Sequence, residues 1–321
     1  MVDYWSFQHS NTPLLHYSIL IACARFAGRI SSPSVMTDSR TAHRLVTLCL
    51  LSLVSRLAAG AVAKIDELVT QAGEAFDHGR REEAFAVCTR AIEADPKSVR
   101  ALYVRGRFYA IDRQPEKALA DYGRALKLDP GAALIYQQRG SELFKLGRVE
   151  EAVADFDKYL ELVPDEAPNH WQRGIACYYA KRYRAGRRQF ELHQTVNPDD
   201  VEDAVWHFLC IARERGVDKA RESLMKVGED RRIPMRQIYA LYAGKGSIDD
   251  VLSAAKSGNP SAAELNQRLF YAHLYIGLYQ EATGEEKLAR EHIFKAAEEF
   301  KMDNPMGDVA RLHAMLLRKA P

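Results

Sequence analysis

The chain is short of the residue patterns from which most chemistry is built. It has five cysteines in 321 residues, Cys23, Cys49, Cys88, Cys177 and Cys210. No two have the spacing of a metal knuckle or a redox pair, and three remain if the N-terminal segment is removed, so a disulfide framework is excluded. Each of those three falls in a helical apolar pattern, where cysteine acts as a small buried hydrophobe. An excess of one charge is also missing: 45 basic and 43 acidic residues leave a formal net charge of +2. This balance gives no electrostatic case for nucleic acid as a partner, or for an anionic membrane surface as the main one. A G-x-x-x-x-G-K-S/T phosphate loop, a strand-bound G-x-G-x-x-G, a G-x-S-x-G elbow and an H-E-x-x-H pair are all absent. With 47% hydrophobic and 27% charged residues, the chain is not a disordered one.

Residues 1–63 read differently from the rest. Leu45–Val54 is apolar, Arg40, His43 and Arg44 precede it, and Ala61-Val62-Ala63 follows. That order, a basic region, an apolar region and then a small-x-small site, describes a secretory signal. Met36 is a natural start for it, with residues 1–35 as an upstream extension. The apolar core is interrupted by Arg56 and is too short to span a bilayer. Leu20-Ile21-Ala22-Cys23 fits a loose lipid-attachment pattern, but Met1–Pro13 carries no Lys or Arg ahead of it. The alternative for the whole segment is a disordered stretch or a loosely docked helix.

What the chain does have is a period of 34 residues. Pro96, Pro130, Pro164 and Pro198 each stand 34 after the last. Gly106, Gly140 and Gly174 share that period, as do Arg105, Arg139 and Arg173. Ala84, Ala118, Ala152 and Gly186 form another column, and Tyr122, Phe156 and Phe190 a fifth, with Cys88 in its first place. Several independent columns at one period mark a repeat array, in which each unit buries its apolar face only against its neighbours.

These columns resemble the tetratricopeptide repeat, a helix–turn–helix unit of 34 residues. The resemblance covers units at 65–98, 99–132, 133–166 and 167–200, and implies an all-α fold, a right-handed α-solenoid. The glycine of helix A and the alanine of helix B let the two helices approach closely. The helix B aromatic fills the space between repeats, and the proline stops helix B. Asp95, Asp129 and Asn197, just before three of these prolines, favour the turn, and Pro115 fits the first turn of a helix B. Residues 201–321 are less regular. Short amphipathic stretches are expected at Val201–Arg215, Lys219–Lys226, Arg236–Ala243 and Ile248–Ala255. A late repeat is expected at about 270–303, and a helix over Asp308–Lys319 to cap the last apolar face.

In such a solenoid the helix A residues line the concave side. By position the groove comprises Arg100, Tyr103, Arg107, Gln137, Ser141, Phe144, Trp171, Ile175 and Tyr178. Aromatic residues and arginine are the usual anchors of interfaces, and Arg100 and Arg107, two turns apart beside Tyr103, suit a carboxylate. The Lys and Asn set with which some tetratricopeptide domains hold a C-terminal carboxylate is missing, since Val69 and Gly73 stand in its first places. His170 and His193, on helices A and B of the fourth unit, could face each other with His207 nearby. Each takes a repeat column that packing explains, so no metal and no cofactor is expected. Glu82-Glu83, Glu150-Glu151 and Glu285-Glu286 open B helices, where carboxylates stabilise the positive helix end. The expectation is a non-catalytic protein that holds other proteins or peptides.

The order of parts is similar to that of the NlpI-type tetratricopeptide proteins of the bacterial cell envelope. It rests on Asp203–Ala212 with Trp206, Arg236–Gly244 with Asp249-Asp-Val-Leu252, Phe270–Gly277 and the closing helix. The similarity spans roughly 65–318. It implies a periplasmic adaptor for envelope proteases and peptidoglycan hydrolases, and leaves room for a homodimer. Leu45–Ala63 holds no matching lipid-attachment cysteine, so membrane contact is expected only with lipidation or a retained N-terminal segment. The alternative is a cytoplasmic regulatory or assembly-chaperone subunit.

Overall fold

The structure, a computed structural model, describes residues 39–319. Met1–Pro13, Cys23 and Met36, on which the export and lipidation readings draw, lie outside the described residues. The chain divides into two compact units between Asp66 and Glu67. In the first, the described residues belong to helix α1 (Ser39–Asp77). The 63/64 boundary expected from sequence therefore falls inside a helix. Leu48, Leu50, Leu51, Leu53 and Val54 are exposed along it. No helix among the described residues is long and apolar enough to cross a membrane.

Among the described residues of the second unit, every regular element is helical. The last part of α1 pairs with α2 (Arg81–Ala94). Then follow α3 (Val99–Ile111) with α4 (Pro115–Leu128), α5 (Ala133–Lys145) with α6 (Val149–Leu162), and α7 (Trp171–Tyr179) with α8 (Tyr183–His193). Local signals set these boundaries. Ser98 Oγ accepts the Ala101 N–H to open α3, and Pro115 opens α4 where its missing donor is not needed. Asp95 and Asp129 accept the Lys97 and Gly131 N–H groups in the turns. Each A-to-B turn uses one left-handed residue: Gly79, Arg113, Gly147 and Lys181, with φ of 76°, 55°, 75° and 57°. Glycine takes that conformation without strain, whereas Arg113 and Lys181 adopt it at a cost.

The fourth unit departs from the expected register. Helix α7 starts at Trp171, where the period places a start near Ala167, and Pro164–Asn169 forms a 3-10 turn instead. Pro168 disfavours the helical conformation for Ala167 before it. The His170 side chain then accepts the Arg173 N–H and caps the shortened helix.

Packing explains the columns. A Cβ built on Gly106, Gly140 or Gly174 would lie 2.6, 2.7 or 2.6 Å from the ring of Tyr122, Phe156 or Phe190. Only glycine lets the helix A backbone rest on that ring, whose full burial is worth about 3 kcal/mol. The arginine column has an equally specific partner. Arg105 makes a bidentate pair with Asp121 and Arg139 one with Asp155. Arg173 reaches Gln189, the third residue of the same 34-spaced column, and also Asp157. Each arginine thus ties helix A to helix B. Cys88, Cys177 and Cys210 are free and buried, and burial pushes the Cys88 thiol up to about 12.

Beyond these lie α9 (Val201–Arg215), α10 (Val217–Glu222), α11 (Met235–Tyr242) and α12 (Ile248–Lys256). Helix α10 ends at Glu222, earlier than its amphipathic pattern suggests, because residues 224–230 form no regular element. The late repeat is α13 (Ala262–Ala282) with α14 (Glu286–Phe294), which runs into a π-helical turn, Lys295–Glu299. Gly277 packs on Ile293 as its counterparts pack on their aromatics. Helix α15 (Pro305–Lys319) covers α14 and the π turn, as a capping helix should, but it does more than cap. It returns across the unit to pack on α5. Met315 and Leu312 lie against Gly147, Tyr179 bonds His313 at 2.9 Å, and Arg113 pairs with Asp303.

Candidate protein-binding groove

Two clefts lie where the N-terminal end of α15 meets the repeats, one against α5 and α7 and the other against α7, α8, α9 and α13. The first, of about 260 Å³, is lined by Gln137, Ser141, Glu142, Phe144, Trp171 and Asp308, among others. The second, of about 300 Å³, is lined by Trp171, His193, Asp200, Glu202, Trp206 and Tyr271, among others. Trp171, Ile175 and Pro305 border both. Residues 304–309 therefore stand where the two clefts would otherwise join.

Of the residues expected to line the groove, Gln137, Ser141, Phe144, Trp171 and Ile175 are brought together here. Arg100, Tyr103, Arg107 and Tyr178 line neither cleft. Tyr103 is buried against Tyr122, with the Arg107 guanidinium 5.8 Å over its ring. Tyr178 is buried among Tyr179, Tyr183 and Trp206 and takes a hydrogen bond from Arg213.

The groove wall is a polar network over an apolar floor. Gln137 Nε2 donates to Gln172 Oε1 at 2.7 Å, and Ser141 donates to the Gln137 carbonyl. Glu142 is buried, with one oxygen 2.6 Å from Lys145 Nζ and the other without a partner among the described residues; burial raises its pKa. Asp200 and Glu202 of the second cleft are bridged, together with Asp230, by Arg232 at 2.5–2.6 Å. Burial, then the neighbouring Asp200 charge, pushes Glu202 up to about 7, while Tyr275 donates to it. The Trp206 indole Nε1 is buried without a hydrogen-bond partner among the described residues.

The three histidines have separate partners. His193 pairs with Asp203 at 2.7 Å, His207 faces Glu191 at 3.3 Å, and His170 bonds Gln137. His170 and His193 are thus each bonded to another side chain. His170 Nε2–H donates to Gln137 Oε1 and its Nδ1 accepts the Arg173 N–H, so the neutral ring is satisfied at both nitrogens. Burial lowers its pKa to about 4. A depressed histidine stabilises the fold only while the unfolded chain is also neutral, so its contribution is lost as pH falls from about 6.5 towards 4. Acid unfolding should therefore begin in that window. His170→Asn should weaken the pH dependence of the denaturation midpoint there, and an unaltered dependence would refute this account.

The buried glycine–aromatic and Arg–Asp contacts are those of one repeat recurring. Two family models described as tetratricopeptide repeat match residues 69–133 and 107–170. Residues 69–170 are tetratricopeptide repeats. A tetratricopeptide repeat protein from Parabacteroides merdae is 18% identical, with a TM-score of 0.51, over 78% of this chain and 98% of that one. Pseudomonas aeruginosa pilF is 17% identical, with a TM-score of 0.42, over 75% of this chain and 94% of that one. The first such domain of Spaghetti, solved with an HSP90 peptide, is 28% identical, with a TM-score of 0.31, over 32% and 81%. No curated protein matches the chain. Tetratricopeptide repeats mediate protein–protein interactions, and the first cleft draws Gln137, Ser141, Glu142 and Phe144 from the matched residues.

Several residues of the repeat core and of the clefts lie outside the set expected from sequence. Asp121 and Asp155 carried a signal, since they share the period of the arginines they bind. Glu142 on α5, Tyr271 on α13 and Asn304–Met306 carry none, because only the stacking of α5, α7, α13 and α15 brings them to the clefts.

Proposed function

We propose that this protein is a non-catalytic scaffold that works outside the cytoplasm. Its helix A groove recruits segments of partner proteins, with envelope proteases and peptidoglycan hydrolases as the partner class. The observation that carries the reading is the groove itself. Trp171 stands half-buried between two clefts that also present amide, hydroxyl and carboxylate groups, the mixture that anchors a peptide and fixes its orientation. The signal-like order of Arg40 to Ala63 supports export.

One purification tests both parts. Protein recovered from the native envelope fraction should begin at Lys64, and an intact Met1 or Met36 in the cytosol would sink export. Proteins that co-purify with it should be lost with Trp171→Ala combined with Ser141→Arg, two half-buried cleft residues, while helical content is kept. Undiminished capture by that double variant would refute the groove. Tyr103 is unsuited to this test because it is core.

A further inference from the structure

The overall charge balance hides a local excess. Lys181-Arg-Tyr-Arg-Ala-Gly-Arg-Arg188 holds five arginines and lysines beyond any neighbouring acid in sequence before Glu191, if Arg182 is counted with Lys181, Arg184, Arg187 and Arg188. Four of these cations, Lys181, Arg182, Arg184 and Arg188, surround an open depression whose one carboxylate is Glu214. Lys181, Arg184 and Arg188 are exposed and make no ion pair among the described residues. Arg182 comes no closer than 3.9 Å to Asp157, while Arg187 is paired with Glu191.

Lys181, Arg184 and Arg188 bring the fold no ion pair among the described residues. The other B helices, α2, α4, α6 and α14, carry glutamate in their first turn, as the helix dipole favours, and α8 carries none. Lys181 holds a left-handed position that glycine fills in two of the other three regular repeats. Arg184 and Arg188 are like charges four residues apart on one helix.

We propose that this basic face docks an acidic segment of a partner protein. It is separate from the groove, sharing no lining residue with either cleft. The guanidinium fork matches a carboxylate in two parallel hydrogen bonds. Side chains four apart on a helix are about 6 Å apart, which fits carboxylates four apart on a partner helix or two apart on a strand. Nucleic acid fits less well. Strand-binding sites add aromatic rings free to stack, but Tyr183 is packed 5.7 Å from Tyr178. A membrane surface fits less well too, since no large aliphatic side chain lines the depression to insert among lipids.

The test uses the full chain and a labelled polyglutamate peptide, read by fluorescence anisotropy. A polyglutamine peptide, a single-stranded oligonucleotide and phosphatidylglycerol vesicles serve as competing probes. Polyglutamate should bind more tightly than all three. Its affinity should fall roughly tenfold with Arg184→Ser combined with Arg188→Ser, and again as salt is raised to about 0.3 M. Trp171→Ala should leave it unchanged, which separates this surface from the groove. The double variant removes repulsion from an exposed helix face, so its circular dichroism should match the parent. Equal binding of polyglutamate by parent and double variant would overturn the proposal. So would tighter binding of the oligonucleotide or vesicles.

Discussion

Replacing Arg139 by alanine is expected to destabilise the repeat array by about 3–5 kcal/mol, the usual result of stranding one member of a buried ion pair. Asp155 is only 7% exposed and takes both of its arginine hydrogen bonds, at 2.7 Å, from Arg139. Alanine at 139 removes both donors and leaves a carboxylate without its counter-charge between α5 and α6. The pair itself need not add net stability, because burying two charges offsets much of their attraction. Arg139→Met combined with Asp155→Leu should therefore recover most of the loss. A double-mutant cycle by urea denaturation measures this. If Arg139→Ala shifts the midpoint no more than a surface substitution, the pair does not hold the two helices together. The same logic applies to Arg105 and Asp121, but less to Arg173, whose partners are the neutral Gln189 and the more exposed Asp157.

Leu312→Asp is expected to release α15 from the groove. Leu312 is 1% exposed and lies against the α5–α6 turn at Gly147. The lost packing alone should cost at least about 2 kcal/mol. Burying a carboxylate there without a partner costs several kcal/mol more, so the cheaper outcome is for the helix to leave. Amide hydrogen exchange should then rise in 305–319 and in α5, with little change in α3 and α4. The emission of the tryptophans should shift to the red as Trp171 loses the cover of Pro305. With 304–309 withdrawn the two clefts join, and the groove becomes accessible along its length. Unchanged protection of α5 amides in the variant would show that α15 does not close the groove.

The repeats were legible because their determinants are local and recur. A glycine facing an aromatic sixteen residues later, an arginine facing an aspartate at the same interval, and a proline ending each unit all fall within one period. Neighbouring helices must meet in this order, so the spacing of residues carries the packing. Half of the groove followed from the same logic: Gln137, Ser141, Phe144, Trp171 and Ile175 share a face because helix periodicity puts them there. Tyr103 and Tyr178 share that periodicity, but are buried by aromatic neighbours that position alone does not reveal.

Contacts between residues far apart in the chain could not be read in this way. Arg113 with Asp303, Tyr179 with His313 and Gly147 with Leu312 join segments more than a hundred residues apart, without any periodic pattern to announce them. The amphipathic pattern of Asp308–Lys319 shows that it has an apolar face to bury, since its 3.6-residue period depends only on its own residues. Which surface receives that face depends on how all the preceding helices stack. That is why a helix expected to cap the last repeat also returns to divide the groove of the third and fourth.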